Sequence, residues 1–501
     1  MNSYFRYIQI PKRVYLLIHP FLLCVFWAFD SSASFYFTPE LETAYNEIIQ
    51  LKINPAKQRI QAEHLKDPIN NIPLYLTSLA ETTELFLTED ISGYQSNRSR
   101  ESIFIKAISD DDHRKSPYYN FCLAEVYLQW AFVKIKFGDE LGAAVNAKRA
   151  LNLLNENARV YPSFIPTKKS LGLLNVVIGS IPSSYSWIAS TLGFSGNVDT
   201  GLLMLQDVID SRTIFYQEAA VMKIISEQYV LNRDEQLEHM KTLYKLYPSN
   251  LLYHYLYAAI LSKHSRSEEA LNVIKNVPTS NDYIVFPLID YLHGDLLLQN
   301  GYYLESREYF NRFLTLFKGK NLIKDTYFKL FLSYWLMNED VTALKYWSSI
   351  TKVGQAVYES DKYANKIAVS NELPDKRLAR LRLYTDGGIY SKAFKIIDNT
   401  YVGDFTNRKD KIEFFYRSAR LYDKSDQNSK AIDYYKKVID ISNDNNYYFA
   451  PNSALQLGYI YQKQNNMPQA TYYFNLAVSY KNHEYENSIE QKAKAALNHL
   501  K

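Results

Sequence analysis

The residue types best suited to covalent chemistry lie at positions 193–197 (GFSGN). A serine between glycines is typical of the nucleophile elbow, in which a strained strand-to-helix turn exposes the hydroxyl. Here the glycine spacing is one residue short, and residues 185–192 before it have a helical pattern. We therefore predict a helix exit followed by the N-cap of a helix that begins near Val198, with no nucleophilic role for Ser195.

Acidic residues and histidines form no pattern for a metal or a cofactor. The triplet Asp110-Asp111-Asp112 is followed by no further acids at the spacing of a calcium loop. The nine histidines include no pair at metal-ligand spacing, and the chain has neither a Walker nor a dinucleotide glycine loop. The sequence therefore predicts no catalytic residue, no metal and no cofactor, and it predicts a buried, inert thiol at Cys122.

The remaining polar pattern favours binding. Cations and tyrosines recur at positions that a helical repeat would turn toward its concave side, namely Arg382, Tyr416, Arg420, Lys424, Tyr459 and Lys463. Because guanidinium and ammonium groups recognise carboxylates, such a groove suits an acidic or C-terminal peptide segment. The alternative is that these side chains form the solvated side of the helices. The asparagine pattern of chaperone-tail carboxylate clamps is absent from these positions.

These candidate positions depend on a repeating pair of helices, which is clearest at residues 451–484. Small and large apolar residues fall there at the fixed offsets of the tetratricopeptide repeat: Ala454, Leu457, Gly458 and Tyr461 on a first helix, and Ala470, Phe474 and Ala477 on a second. Small residues let two helix backbones approach closely. One such hairpin cannot bury both of its faces, so neighbouring hairpins are expected.

Seven units in one register follow from the same offsets. They start near residues 217, 251, 287, 324, 374, 412 and 451. One gap is longer than the others, and we expect residues 351–373 within it to hold an extra helix or loop that acts as an insertion or a hinge. No segment shows sustained period-two alternation. The predicted fold is all-α, a tetratricopeptide-like helical-hairpin solenoid.

The rest of the chain divides around this array. We predict an N-terminal helical region at 38–115, a helical core with a glycine- and proline-containing turn at 116–216, the repeats at 217–484, and a C-terminal capping helix at 485–501. The polar stretch Ser92–Arg100 is the best candidate for a loop before the repeats.

Residues 1–33 have the features of an export signal. Arg6, Lys12 and Arg13 precede an apolar run at 14–29, and small residues follow it. The run is shorter than the roughly 20 residues that a spanning helix needs. We therefore predict an exported protein, periplasmic or in the cell envelope if bacterial, with an uncleaved N-terminal membrane anchor as the alternative. Cleavage of residues 1–33 would lower the formal net charge of the chain from +4 to +2. A net charge so close to neutral argues against a nucleic-acid partner.

A more specific pattern occupies the middle of the chain. It consists of residues 170–175 (SLGLLN), Ile181-Pro182, the turn at 193–197 and Gly201-Leu202. Over roughly residues 115–345 the sequence resembles the inclusion-body-clearance family of tetratricopeptide proteins, which is tetratricopeptide repeat 39-like. The chain departs from the family pattern at Ser183, where the family has a second proline, and at Asn197, where it has aspartate. The resemblance implies a shared architecture and a non-enzymatic, interaction-type activity.

The sequence thus predicts an exported, non-catalytic scaffold that binds a protein or peptide partner. Membrane contact is expected only if residues 14–29 remain as an anchor. Two alternatives stay open. One is the ligand-sensing input module of a membrane signalling system, which an anchored N-terminus favours. The other is a carbohydrate-uptake accessory binding protein, which matches in size and fold class, although the chain lacks the lipoprotein box.

Overall fold

A computed structural model describes residues 34–110, 115–181, 186–230, 236–442 and 447–500. Throughout these ranges the regular structure is helical and no strand occurs, which confirms the predicted all-α class. The predicted export signal at 1–33 lies outside the described residues, as do Pro182 and Ser183. None of the described helices is long and apolar enough to cross a membrane.

Five helices form the N-terminal region. They are α1 (Pro39–Ile49), α2 (Ile53–Lys66), α3 (Ile72–Thr88), α4 (Ile91–Asn97) and α5 (Arg100–Ser109). The prediction of a loop at Ser92–Arg100 is wrong, because most of this stretch is helical. Asp90 caps α4 by accepting the backbone N–H of Gly93 at 3.0 Å, and α5 buries Phe104 and Ile108. The cap stabilises α4 despite a polar composition that is typical of loops.

The central region continues with α6 (Pro117–Lys136), α7 (Glu140–Val160), α8 (Thr167–Gly179), α9 (Ser186–Thr191) and α10 (Val198–Ser211). Asn197 caps α10 by accepting the N–H of Thr200 at 2.8 Å, so the predicted cap before Val198 is present. Where α8 crosses α10, a Cβ atom on Gly201 would lie 2.5 Å from the carbonyl oxygen of Gly172. Only glycine permits this approach of the two backbones.

A buried ion cluster lies in the core of this region. The ammonium of Lys169 contacts Glu125 at 2.7 Å and Glu218 at 2.9 Å, and the lysine side chain is 1% exposed. The rings of Phe121 and Phe215 flank the ammonium, with centroids at 5.8 and 5.4 Å. Burial raises the pKa of the Glu125 carboxyl, and the charge of Lys169 opposes that rise. Buried charges of this kind need a partner in place.

The repeat array begins with α11 (Tyr216–Ile225), which runs into a π-helical segment (Ser226–Val230). The hairpins continue as α12 (Gln236–Leu246), α13 (Leu251–Lys263) with α14 (Ser267–Lys275), α15 (Leu288–Asn300) with α16 (Tyr303–Leu316), α17 (Ile323–Trp335) with α18 (Asp340–Ser349), α20 (Lys376–Gly387) with α21 (Tyr390–Asp398), α22 (Arg408–Lys424) with α23 (Asn428–Ser442), and α24 (Phe449–Lys463) with α25 (Met467–Ser479). Small residues mark the crossings, as at Gly458, where a Cβ atom would lie 2.5 Å from the ring of Phe474.

The long gap in the register holds one further helix, α19 (Glu359–Ser370). Its fully buried Asp361 caps α17 by accepting the N–H groups of Leu322 at 2.6 Å and Asp325 at 3.0 Å. Burial raises the pKa of Asp361 to about 6 against the effect of these hydrogen bonds. The insertion is thus a helix fixed to its neighbours, and it does not have the loose contacts expected of a hinge.

The last helix, α26 (Glu486–His499), covers α24 and α25 with the buried side chains of Ile489, Ala493 and Ala496. It also reaches the other end of the array, which the sequence did not predict. The side-chain amide of Gln491 donates to the carbonyl oxygen of Ser180 at 2.9 Å, across 311 residues of chain. The same helix touches the π-helical segment Ser226–Val230. The solenoid therefore closes on itself through α26.

Candidate functional site

An open cavity of about 380 Å³ lies on the side of the repeats that is formed by their first helices. Its wall is built by the first helices of five successive hairpins, α13, α15, α17, α20 and α22, together with Ser360 of the inserted helix and Tyr485 before α26. The polar and charged side chains of the wall are Ser262, Lys263, Ser265, Asp295, Gln299, Asp325, Lys329, Arg382, Asp386 and Arg420. A surface of this kind is the one that helical repeats present to partners.

At one end of the cavity positive charge is in excess. Asp386 contacts Arg382 at 3.7 Å and Arg420 at 3.2 Å, so a single carboxylate serves two guanidinium groups. Burial raises the pKa of the Asp386 carboxyl, but the attraction of Arg420 and Arg382 is larger, and the net pKa is lowered. Both arginine side chains keep partial exposure, at 32% and 21%. We call Arg382, Arg420 and Asp386 the basic end.

A second charged group in the wall of the cavity is centred on Lys329. Lys329 contacts Asp295 at 2.6 Å and Asp325 at 3.1 Å, and its ammonium also donates to the hydroxyl of Tyr291 at 2.8 Å. Burial lowers the pKa of Lys329, but the two carboxylates outweigh it and the net pKa is raised. The cation is held in its charged form between two acids. Lys329, Asp295 and Asp325 together carry one net negative charge.

The six residues predicted for the groove have different positions. Arg382 and Arg420 line the cavity. Lys424 and Lys463 do not line it, but they lie close enough to Asp423 to oppose the rise that burial causes in the pKa of that carboxyl. Tyr459 packs edge-to-face on Phe474, with ring centroids 5.2 Å apart.

Tyr416 is the exception, because it is only 1% exposed. The next repeat covers it: Tyr448 and Phe449 pack on its ring with centroids at 5.5 and 5.1 Å. Its hydroxyl accepts a hydrogen bond from the side-chain amide of Asn452 at 2.8 Å. Tyr416 therefore belongs to the packing between repeats, and the expectation that it lines the groove is wrong.

Sequence reasoning missed several residues of the cavity, among them Asp295 and Lys329. Asp295 directly follows the small residue Gly294 of its first helix, as Arg420 follows Ala419. The repeat register therefore contained the signal for Asp295. Lys329, in contrast, does not follow a small residue of the register. It stands two residues before the core residue Phe331, and its long side chain extends to the cavity.

Other residues that could do chemistry are engaged in packing. Cys122 is fully buried, and burial raises the pKa of its thiol. His293 stacks on Tyr309 with centroids 3.7 Å apart, and burial, together with Lys275 and Arg312, lowers the pKa of its imidazole to about 4. Among the described residues, no group of histidine, cysteine and acidic side chains is arranged to hold a metal ion. Asp111 and Asp112 lie outside that part of the chain.

Hairpins with small residues at their crossings, stacked so that their first helices line a concave face, define a tetratricopeptide-repeat protein. A model of the tetratricopeptide repeat matches residues 412–445. More specifically, the model of the Iml2/Tetratricopeptide repeat protein 39 family matches residues 167–374, so the chain resembles that family over this range. The predicted resemblance is confirmed, although the match begins and ends later than the expected 115–345.

Solved structures are similar to the chain at low identity. One is the TPR domain of P58(IPK), at 12% identity, with 92% of this chain and 96% of that chain covered and a TM-score of 0.21. Another is the apo form of the quorum sensor NprR from B. thuringiensis, at 14% identity, 88% and 97% coverage and a TM-score of 0.29. A third is the Cut9–Hcn1 hetero-tetramer of the APC/C, at 11% identity, 96% and 98% coverage and a TM-score of 0.26. No curated protein sequence matches the chain.

Proposed function

We propose that this protein is an exported, non-catalytic scaffold that binds a protein or peptide partner along its concave face. Tetratricopeptide repeats act as protein-interaction scaffolds, and the matches at 167–374 and 412–445 support that coarser statement. The observation that carries the proposal is the cavity, whose wall comes from five successive hairpins. Charged side chains converge there from separate repeats, whereas a merely solvated face would leave them spread over an open surface.

Reversing the charge of the two cavity arginines tests this use of the concave face. We expect the Arg382→Glu/Arg420→Glu variant to lose the partners that the wild-type protein captures from its native extract, because both side chains lie in the wall of the cavity. Affinity capture followed by mass spectrometry measures the loss. The matched control is Lys395→Glu/Lys430→Glu, which reverses two exposed lysines on the second helices α21 and α23.

The control variant should retain the wild-type partners, and circular dichroism should show all three proteins equally helical. If the cavity variant captures the same partners as the control, the concave face is not the binding surface. If both variants lose them, binding depends on overall charge, and the cavity proposal fails.

The proposal of export rests on the charge and hydrophobicity of residues 1–33. N-terminal sequencing of the protein from its native membrane and soluble fractions tests it. We expect a mature chain that begins at Ser34 or Phe35 and is absent from the membrane fraction. An intact Met1 in the membrane fraction would contradict cleavage.

A second candidate function is the ligand-sensing input module of a membrane signalling system. The volume of the cavity, about 380 Å³, favours it, because this size suits a small ligand. An anchored N-terminus is the result that would favour this candidate over the free scaffold.

A further inference from the structure

The helix α20 lies across the turns of the three hairpins that precede it. At its start the ammonium of Lys376 contacts Asp340, the first residue of α18, at 2.9 Å. Further along, the ring of Tyr384 lies against the glycine between α15 and α16. Just beyond the end of α20, Gly388 meets Ser265, between α13 and α14, so closely that a Cβ atom on the glycine would overlap the carbonyl oxygen of the serine. The contacts of α20 therefore step back through three hairpins.

The part of the chain that begins with α20 has hydrophobic clusters of its own. The cluster of α17, α18 and α19 takes in Ala379 and Leu383 from α20. The helices from α20 to α26 bury apolar side chains in three further clusters, and we call these helices the C-terminal unit. Parts of a chain with separate cores move relative to each other unless the interface between them is large and hydrophobic. Residues 371–375 connect α19 to the C-terminal unit, and the first three of them are exposed.

The contacts of the C-terminal unit differ in their distance from this connector. Glu372 of the connector itself pairs with Lys409 of α22 at 2.9 Å. At the far end of α20, about 17 Å along the helix at 1.5 Å per residue, the buried hydroxyl of Ser267 donates to the carbonyl oxygen of Gly387 at 2.6 Å. A rotation about the connector therefore keeps the near contact and breaks the far one. We call the residues of the far contact, Ser265, Ser267, Gly387 and Gly388, the clasp.

The contact of α26 with the π-helical segment is on the same side as the clasp. Lys263, two residues before Ser265, donates to the carbonyl oxygen of Gln228 in that segment, and α26 touches the segment as well. A rotation that opens the clasp therefore also lifts α26 away, so both contacts open together.

Opening the clasp would widen the cavity, because two groups of its wall belong to different units. Asp295 and Lys329 come from α15 and α17, whereas Arg382, Asp386 and Arg420 come from the C-terminal unit. Each group pairs its own charges, since Lys329 contacts Asp295 at 2.6 Å and Arg420 contacts Asp386 at 3.2 Å. The two groups can therefore separate without leaving a charge without its counter-ion.

We propose that the C-terminal unit rotates about residues 371–375, and that the clasp controls the entry of a partner segment into the cavity. This inference rests on the proposed binding along the concave face. In the closed form the cavity measures about 380 Å³, which admits only a few residues of a peptide. In the open form the two charged groups of the wall lie further apart and the partner enters between them. A partner that binds the open form better shifts the protein toward it.

Hydrogen exchange of the full chain, measured by mass spectrometry, tests the opening. We expect Gly388→Ala to raise the exchange rate of the turns at 263–267 and 299–303 by about tenfold, because the overlap with Ser265 weakens the clasp. The matched control is Gly138→Ala. Gly138 has the same left-handed backbone, with φ +81° against +82°, but a Cβ atom there would meet nothing within 4 Å. The control should leave the exchange of both turns unchanged.

Two results would overturn the rotation. One is equal exchange in the two alanine variants. The other is a loss of protection throughout residues 376–398 in Gly388→Ala, because α20 and α21 would then unfold and not move as a body. Ser267→Ala removes the hydrogen bond of the clasp without straining the backbone of the C-terminal unit. It should raise the exchange of the same turns, and an unchanged rate would reject the clasp.

A disulfide across the clasp tests its effect on binding. A Cβ atom on Gly387 would lie 3.0 Å from the Oγ atom of Ser267, within the reach of a disulfide. Ser267→Cys/Gly387→Cys, in a Cys24→Ser background, should therefore form one on oxidation, and the buried Cys122 should not react. We expect the oxidised protein to lose the partners that the wild type captures from its native extract, and reduction to restore them.

Equal capture by the oxidised and the reduced protein would overturn control by the clasp. It would leave the scaffold function intact if capture still depends on Arg382 and Arg420. Conversely, exchange that reports opening, together with unchanged capture by Arg382→Glu/Arg420→Glu, would reject binding at the concave face and leave the rotation standing. The two proposals therefore fail separately.

Discussion

Replacing Lys169 with methionine should lower the free energy of unfolding by about 3–5 kcal/mol, the range for removing one partner from a buried ion pair. The substitution removes the shared cation of the buried Glu125 and the partly exposed Glu218, which the Lys169 ammonium contacts at 2.7 and 2.9 Å. Urea denaturation followed by circular dichroism measures the loss. The neighbouring Lys168→Met is the control, because Lys168 and Asp207 form an exposed pair, and its effect should stay within about 0.5 kcal/mol.

The same substitution has a pH dependence of known sign. Lys169 opposes the rise that burial causes in the pKa of Glu125. Without the lysine, the pKa of Glu125 in the folded state rises further above its value in the unfolded chain. The folded variant then binds more protons than the unfolded variant as the pH falls, so its stability relative to wild type should recover toward acid pH.

If Lys169→Met does not fold at neutral pH, the double variant Lys169→Met/Glu125→Gln tests whether the unpaired carboxylates cause the loss of stability. It removes one of the two uncompensated carboxylates, and part of the stability should return. If Lys169→Met were as stable as Lys168→Met, the ion cluster would not contribute to the stability of the core.

Replacing Gly201 with alanine should cost about 1–3 kcal/mol, the range for overpacking a tight core. A Cβ atom there would lie 2.5 Å from the carbonyl oxygen of Gly172 and 2.9 Å from the backbone nitrogen of Val176. These are backbone atoms and cannot rotate away, so the two helices must separate. The midpoint of urea denaturation reports the loss.

Gly403→Ala is the matched control for Gly201. It lies in a short 3₁₀ helix (Val402–Asp404), and a Cβ atom there would meet nothing within 4 Å. No loss of stability is expected from it. Equal stability of the two alanine variants would mean that the crossing of α8 and α10 tolerates a side chain, and that the glycines of the family-like pattern do not serve packing.

Much of the helical structure could be predicted because its causes are local. The cap before Val198 and the small residue at Gly458 act on neighbours within one hairpin, and the sequence contains both partners. The stretch Ser92–Arg100 was missed because its small polar residues are typical of loops. Tyr94 of this stretch stacks on Phe137 at the end of α6 with ring centroids 4.2 Å apart, and that contact is a tertiary effect.

The candidate site was predictable only as far as the repeat register reaches. Arg382 and Arg420 were found because each follows a packed position of its first helix. The prediction that Tyr416 lines the groove was wrong because the rings of Tyr448 and Phe449, from the next repeat, cover it. The contact of α26 with Ser180 could not be predicted, because it depends on the rotation accumulated over the whole array, which no local pattern encodes.

The contact between Gln491 and Ser180 has a consequence for the order of events during synthesis. In an open solenoid each repeat can settle on the one made before it while translation continues. Here α26 follows all the repeats in chain order, and its partners at 180 and 226–230 are made long before it. The nascent protein therefore spends most of its translation as an open spiral. Tyr485, which precedes α26 and lines the cavity, is also made after the last hairpin, so the wall of the cavity is completed last.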